Sequence, residues 1–370
     1  MTALAPPALQ PLRWLGGPSE FGLLLPDASP TPSTMYAPRG VCLTPEAVIV
    51  ADTGNHRVLI WHEAVPGADH QDADVVIGQP DMHSEGPQLF FLPTGVLVDR
   101  GRLVVADAWH HRILVWDDLA TAHRRPPSLV IGQDGLDGVD EGCGPRRFYW
   151  PFGVAMVEGA FFVADTGNRR VLGWSAGIPD PWVDPDVVLG QPDLVSRGEN
   201  RDGPVSARSL RWPHAVTSVG DHLVVADAGN HRVVAWRHPV GSDHPDADVV
   251  LGQPDTASSF ESPYRVQGPA SFRFPYAVTA TDDGTLFVAD TSNNRVGVYD
   301  DAATTFATHP HGAPFDRVVG QDDLDANGEN RWQRVEHDSL CWPYGLSWSD
   351  GRLGIADSGN NRVVLWGSGG

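Results

Sequence analysis

Basic residues are scarce in this chain: 26 Lys and Arg stand against 47 Asp and Glu in 370 residues, a formal charge of −21. A protein that grips phosphate backbones needs a basic stripe to displace counterions, so no nucleic-acid partner is expected, and no anionic membrane surface either. Cysteine is scarcer still. Cys42, Cys143 and Cys341 are too few, and odd in number, for a disulfide framework, which predicts free thiols and a cytoplasmic protein. No run approaches the roughly eighteen apolar residues of a membrane span. The opening MTALAPPALQPLRW lacks a basic head followed by an apolar stretch, so no secretory signal is read. Also missing are a Ser-His-Asp order, a phosphate-cradling glycine loop and a Cys-x-x-Cys pair.

Glycine and proline are plentiful, at 40 and 32, which suits many short strands joined by tight turns. One eleven-residue phrase occurs six times: ADTGNHRVLIW from Ala51, ADAWHHRILVW from Ala106, ADTGNRRVLGW from Ala164, ADAGNHRVVAW from Ala226, ADTSNNRVGVY from Ala289 and ADSGNNRVVLW from Ala356. Its Asp falls at 52, 107, 165, 227, 290 and 357, so the spacing widens from 55 to 67 residues. A unit of that size with several short β segments predicts a propeller blade. The expected fold is all-β: a six-bladed β-propeller of four-stranded antiparallel blades, one domain over 1–370.

Two more phrases complete each blade. Pro-x-Gly/Ala-Val/Leu stands ahead of every copy (APRGV, LPTGV, WPFGV, WPHAV, FPYAV, WPYGL) and opens the innermost strand, where small residues fit crowded backbones. Val-Ile-Gly-Gln-Pro-Asp, or a variant of it, follows five copies as the outer strand. After Trp366 the chain ends in GSGG, and the missing outer strand is matched by Leu12-Arg13-Trp14-Leu15-Gly16-Gly17-Pro18. The N-terminus is therefore expected to complete the last blade and close the ring, removing two sheet edges.

The Ala-Asp-x-Gly-Asn-His/Asn-Arg-Val phrase resembles the NHL repeat, and six copies resemble the six-bladed NHL β-propellers. The Val-Ile-Gly-Gln-Pro-Asp punctuation is similar to a bacterial subgroup of that family. The resemblance implies the fold; function must come from residues the fold does not repeat. Repeated residues read as architecture. Each Asp with the Arg five positions on is expected to strap its own turn, and Asn55, Asn168, Asn230, Asn294 and Asn361 to cap backbone groups. His56, His111 and His231 belong to the same class.

The residue between Pro and Gly/Ala is not repeated. In order it is Arg39, Thr94, Phe152, His214, Tyr276 and Tyr344, six side chains expected around the mouth of the central channel on one face. Arg39 suits a carboxylate or phosphate, bidentately. Thr94 and Phe152 would line a ligand site, and Tyr276 and Tyr344 offer flat walls with polar tips. His214, titrating near neutral pH, is the natural general acid or base, with Tyr276 and Tyr344 orienting or donating. The bland alternative is that His214 hydrogen-bonds a neighbouring loop. The family's amidating lyase implies a zinc held by His after Pro in three blades. Here only Pro213-His214 fits, and the axial carboxylates of calcium-binding six-bladed lactonases are also missing, so no metal or other cofactor is expected.

Blade 2 departs from the phrase with Trp109-His110-His111. Trp109 points into the mouth, onto a partner or under a loop. With His110, Trp150, Trp212 and Trp342 it completes the candidate ligand-binding set. Loops after the outer strands run from about 12 to about 20 residues, the range of lids and binding loops. Two of them share Gly-Glu-Asn-Arg, at Gly198 and Gly328, and that repetition favours a loop-folding role.

Two functions stay open. One is a pocket for a small organic or peptidic ligand, anionic in character, with metal-free acid–base lyase, isomerase or hydrolase chemistry. The other is a non-catalytic protein-interaction scaffold that uses the tryptophans, thirteen in all. A monomer suffices for either.

Overall fold

The computed structural model describes residues 9–17, 29–237, 245–261 and 267–368. Six four-stranded antiparallel sheets stand around one axis, each ordered from the innermost strand outwards. The innermost strands are Gly40–Leu43, Pro93–Asp99, Pro151–Val157, Pro213–Val219, Pro275–Ala280 and Pro343–Ser349. The third strands begin at the repeat arginine in every blade, as in Arg57–Trp61 and Arg362–Ser368. Apolar cores lie between neighbouring sheets, where Phe162 of blade 3 shares a cluster with Trp236 of blade 4. One short α-helix, Ala302–Thr308, lies in the loop to the outer strand of blade 5.

The crowding at the axis is visible at two glycines. A Cβ on Gly40 would sit 1.8 Å from the Thr94 carbonyl oxygen, and one on Gly153 would sit 2.3 Å from that of His214. The outer strand of blade 6 is Leu9–Gly16, paired with Arg362–Ser368 from Leu9 opposite Ser368 to Gly16 opposite Arg362. The ring is closed by its own N-terminal strand, as the sequence implied.

The turn between second and third strands is a single 3-10 turn ending on a left-handed residue, His56 in blade 1 and Asn361 in blade 6. The repeat Asp–Arg pair does more than strap this turn. Each Arg Nε meets its Asp at 2.7 to 2.8 Å with both side chains buried. The other carboxylate oxygen accepts the N–H of the residue two before the next Pro of the same blade, such as Tyr36 at 2.7 Å. Arg57 then donates to the carbonyls of Met82, Thr31 and Thr34, tying the loop that enters the blade to the loop that leaves it. The asparagines divide into two roles. Asn55, Asn168 and Asn230 donate to the Asp carboxylate at 2.8 Å, and Asn168 also caps backbone as expected, donating to the Gly142 carbonyl. Asn294 and Asn361 do meet backbone, but across a blade boundary, accepting the N–H groups of Trp342 and Ala37.

His56, His111 and His231 occupy that same latch position. Their Nδ1 atoms accept the N–H groups of Leu92, Trp150 and Phe274 in the next blade at 3.1 to 3.2 Å. The residues latched all precede a proline and have φ from 46° to 52°, a left-handed conformation costing about 1–2 kcal/mol each. The latch helps to offset that strain, although Trp212 of blade 4 is left-handed too, at φ 59°, without it. Arg169 breaks the series, donating instead to the Gly167 and Arg197 carbonyls.

A latch nitrogen must be unprotonated, which makes the ring acid-sensitive. Burial is the first cause pulling all three imidazoles down, opposed by Asp107 at His56 and by Glu141 and Asp107 at His111. His231 falls to about 4 although Glu261 pulls it upward. Free imidazoles titrate near ~6.5, so the folded chain binds fewer protons below that value. Stability is therefore full above about pH 6.5 and falls as pH drops towards 4, with His231 contributing at most ~3 kcal/mol. Calorimetry across this window should show a falling Tm. The decline should flatten in the triple variant His56→Asn, His111→Asn, His231→Asn, which installs the latch already used in blades 5 and 6. An equal slope in that variant would sink the role given to the histidines.

Candidate functional site

The six non-repeated side chains meet at the axis. Ring centroids lie 4.6 Å apart for Phe152 and His214, 4.3 Å for His214 and Tyr276, and 4.5 Å for Tyr276 and Tyr344. The Arg39 guanidinium closes the circuit, 4.8 Å from the Tyr344 ring and 5.9 Å from that of Phe152. It reaches past buried Thr94, whose hydroxyl donates to the Phe152 carbonyl at 2.9 Å. Groups this close around one axis form a collar.

A cavity of about 310 Å³ is lined by all six collar residues and continues down the innermost strands. A second set of side chains lines it, three positions further along each strand: Cys42, Leu97, Ala155, Thr217, Thr279 and Ser347. The sequence reading missed these. Their signal was there, since this position varies among the copies as freely as the one after Pro. The two layers make a one-sided cavity. Blades 4 to 6 contribute His214, Tyr276, Tyr344, Thr217, Thr279 and Ser347, whereas blades 2 and 3 contribute Leu97, Phe152 and Ala155 and one hydroxyl, that of Thr94, already given to the Phe152 carbonyl.

The expected rim residues do not line this cavity. Trp109 stacks on Trp150 at 5.2 Å and reaches within 6.2 Å of the Phe152 ring, backing the collar from behind. His110 takes the place of the repeat asparagine, its Nδ1 2.9 Å from Asp107, so it belongs to the strap. Trp212 lies against the Arg211 guanidinium at 4.9 Å, and Trp342 is 49% exposed.

The electrostatics of the cavity are unusual for so acidic a chain. Among the residues lining it, Arg39 carries the only formal charge at neutral pH. Among the described residues it has no ion-pair partner, and its buried Nε has no hydrogen-bond partner, whereas all six repeat arginines hold an aspartate. His214 sits with Nδ1 2.8 Å from the Trp212 carbonyl, which fixes Nδ1–H as donor and leaves Nε2 as acceptor. Burial takes its pKa down to about 3, with Arg39 adding to the fall and the Trp212 carbonyl opposing it. This removes His214 from the neutral range in which the sequence had placed its titration. Burial, then Tyr344 beside it, pushes the Tyr276 phenol above the ordinary tyrosine range, so it stays a donor. The Cys42 thiol, raised to about 11 by burial, stays protonated.

The donor set does not suit a metal. The collar offers one imidazole and no carboxylate, short of the three protein ligands of a catalytic zinc, and no group of three His, Cys, Asp or Glu side chains gathers anywhere among the described residues. The Gly-Glu-Asn-Arg loops fold through three consecutive left-handed residues, Asn200–Asp202 and Asn330–Trp332. Reciprocal amide bonds from Asn200 to Asn230 and from Asn330 to Asn360 anchor them, in keeping with a loop-folding role. No helix among the described residues is long and apolar enough to cross a membrane.

A family model described as NHL repeat matches residues 210–236 and 272–299, inside blades 4 and 5. Peptidyl-glycine alpha-amidating monooxygenase B of Xenopus laevis is 27% identical over 273 residues, which is 61% of this chain and 28% of that protein. NHL repeat-containing protein 2 of Gallus gallus is 26% identical over 296 residues, 75% of this chain and 39% of that protein. The chain thus spans well under half the length of these relatives. Among solved structures, a protein of unknown function from Bacteroides thetaiotaomicron superposes with a TM-score of 0.54 at 14% identity, covering 97% of this chain and 75% of that one. An inactive virginiamycin B lyase from Staphylococcus aureus with quinupristin gives a TM-score of 0.50 at 9% identity, covering 97% and 99%. At such identities these two likenesses speak to the fold alone. With six closed blades and the NHL match inside two of them, the chain is a six-bladed β-propeller that carries NHL repeats in blades 4 and 5.

Proposed function

We propose that this propeller binds a small organic anion in its axial cavity. The observation that carries the reading is Arg39, a guanidinium with no carboxylate partner among the described residues, facing a cavity lined by no acid. Its planar fork suits a carboxylate, and the rings of Tyr344 and Phe152 hold it in place. The ligand's polar edge faces His214 Nε2, the two phenols and the hydroxyls of Thr217, Thr279 and Ser347. Its apolar side rests on Leu97 and Ala155. The amidating monooxygenases are named for peptidyl-glycine, a substrate that ends in a carboxylate, which supports an acyl-amino-acid shape for the ligand.

Acid–base chemistry is conditional in this reading. A bare imidazole titrating at about 3 is a weak base at neutral pH, but a bound carboxylate neutralises Arg39 and raises the proton affinity of His214. A cytoplasmic, monomeric, single-domain protein over 1–370 belongs to the same proposal.

Hippurate, an acylated glycine, is the first probe for isothermal titration. Arg39→Met is expected to weaken its binding by about 10- to 100-fold, the worth of a charge-assisted pair. Hippurate amide should bind as poorly to the parent. Equal affinity for acid and amide would remove the anion from the proposal. The scaffold reading retains one observation in its favour, the exposed Tyr36 and Trp342 on adjacent blades at 45% and 49%. A partner docking there would leave Arg39→Met without effect.

A further inference from the structure

The turn between second and third strands has glycine at its middle in four blades, and the close packing there explains why. A Cβ on Gly54, Gly167, Gly229 or Gly359 would come within 2.4 to 2.5 Å of the residue two before the blade's own proline. The N–H of each glycine donates to the carbonyl of that same residue at 2.7 to 2.9 Å. In blade 2 the position holds Trp109, and the corresponding bond, to the Phe91 carbonyl, lengthens to 3.1 Å. A bulky side chain is thus fitted into a turn shaped for none, and the turn is looser for it.

What the side chain does lies in the next blade. The Trp109 ring stacks on Trp150 at 5.2 Å and meets the Phe152 ring edge to face at 6.2 Å, while Trp150 packs on Tyr149 at 4.6 Å. The main chain beneath these rings is also held from blade 2. His111 latches the Trp150 N–H, and the Thr94 hydroxyl donates to the Phe152 carbonyl. Blade 2 therefore sets both the main chain and the ring of Phe152. Phe152 and Tyr344 are the two rings that flank the Arg39 guanidinium, at 5.9 and 4.8 Å. The Nε of that guanidinium has no hydrogen-bond partner among the described residues to fix it, so the rings are what orient its fork.

We propose that Trp109 is a positioning residue of the axial site: through Phe152 it aims the Arg39 fork at the carboxylate of the ligand. This role rests on the anion reading of the axial cavity. It also accounts for the one blade in which the turn glycine gives way to an indole, since a recognition site is only as exact as the side chains that support it.

Trp109→Gly returns the turn to the residue that four blades use, so the full-length variant is expected to fold. Two readouts follow it. One is hippurate affinity by isothermal titration. The other is the Arg39 Nε–H resonance of the ligand-free protein labelled at its arginine nitrogens, assigned with Arg39→Met. Trp109→Gly is expected to weaken hippurate binding about 2- to 10-fold, the worth of one aromatic pair, and to shift the resonance as the Phe152 ring moves relative to it. Trp109→Phe, which keeps a ring on Trp150, is expected to restore both. A lowered Tm with parental affinity and an unmoved resonance would make Trp109 a packing residue only and overturns the proposal. If the parent does not bind hippurate, the anion reading fails on its own, and the resonance still judges Trp109. A shift in Trp109→Gly that Trp109→Phe reverses upholds its hold on Arg39, whereas an unmoved resonance overturns that too.

Discussion

Removal of residues 1–17 is expected to lower the melting temperature by about 5–15 °C and to make the protein aggregate on heating. The strand Leu9–Gly16 buries Trp14 and Leu15 against blades 6 and 1 and pairs along the whole of Arg362–Ser368. Burial of two such side chains is worth roughly 3–6 kcal/mol, and lost ladder bonds bring the total towards ~10 kcal/mol. Each kcal/mol shifts the melt of a chain this long by ~1–2 °C. The larger consequence is topological. Without this strand the third strand of blade 6 becomes a sheet edge, and an unpaired edge recruits other chains. Scanning calorimetry with light scattering reads both effects, and a peptide of residues 9–17 added in trans should restore part of the melt. An unchanged melt would mean that the strand does not close the ring.

Closure was legible because Leu12-Arg13-Trp14-Leu15-Gly16 copies a pattern seen five times elsewhere. Repetition is the strongest signal a sequence carries, and it gave blade number, strand order and the axial ring. It gave less where one residue does two jobs. The histidine of the phrase looks like part of its own turn, yet it reaches into the next blade, because the turn ends on a left-handed residue that swings the side chain outwards. The two asparagines of NNR look alike in sequence, and only the structure shows one on the carboxylate and the other on the neighbouring blade.

The site was half legible. Variation after Pro located the collar, but the sequence could not show that Arg39 would reach past Thr94 to lie between the Tyr344 and Phe152 rings. Nor could it show that the cavity would continue below, to Thr217, Thr279 and Ser347. Titration was misjudged for a related reason. A histidine read alone keeps its ordinary pKa, whereas His214 sits between two rings and opposite a guanidinium, and burial there disfavours a second positive charge. Trp109 and His110 drew attention as exceptions: Trp109 backs the Phe152 ring, and His110 belongs to the strap on Asp107.

The buried strap gives the other large effect. Asp227→Ala should cost about 3–5 kcal/mol, because it leaves the Arg232 guanidinium buried without its counter-charge. Asn230→Ala, which removes one neutral donor from the same carboxylate together with the reciprocal amide bonds to Asn200, should cost less, about 1–3 kcal/mol. The double variant Asp227→Ala, Arg232→Met separates two accounts of the pair. If the pair were held only by its own attraction, removing both charges would recover most of the loss, since an apolar side chain avoids the desolvation that an ion pair must overcome. Arg232 also donates to the carbonyls of Thr256, Ser206 and Ser209, from the loops that leave and enter blade 4. Those carbonyls lose their partner in the double variant, at about 1–3 kcal/mol for each that stays buried. The double variant is therefore expected to remain well below the parent in urea unfolding, with the two loops becoming the first sites of proteolysis. Full recovery would reduce the arginine to a counter-ion and leave its six-fold repetition without a structural cause.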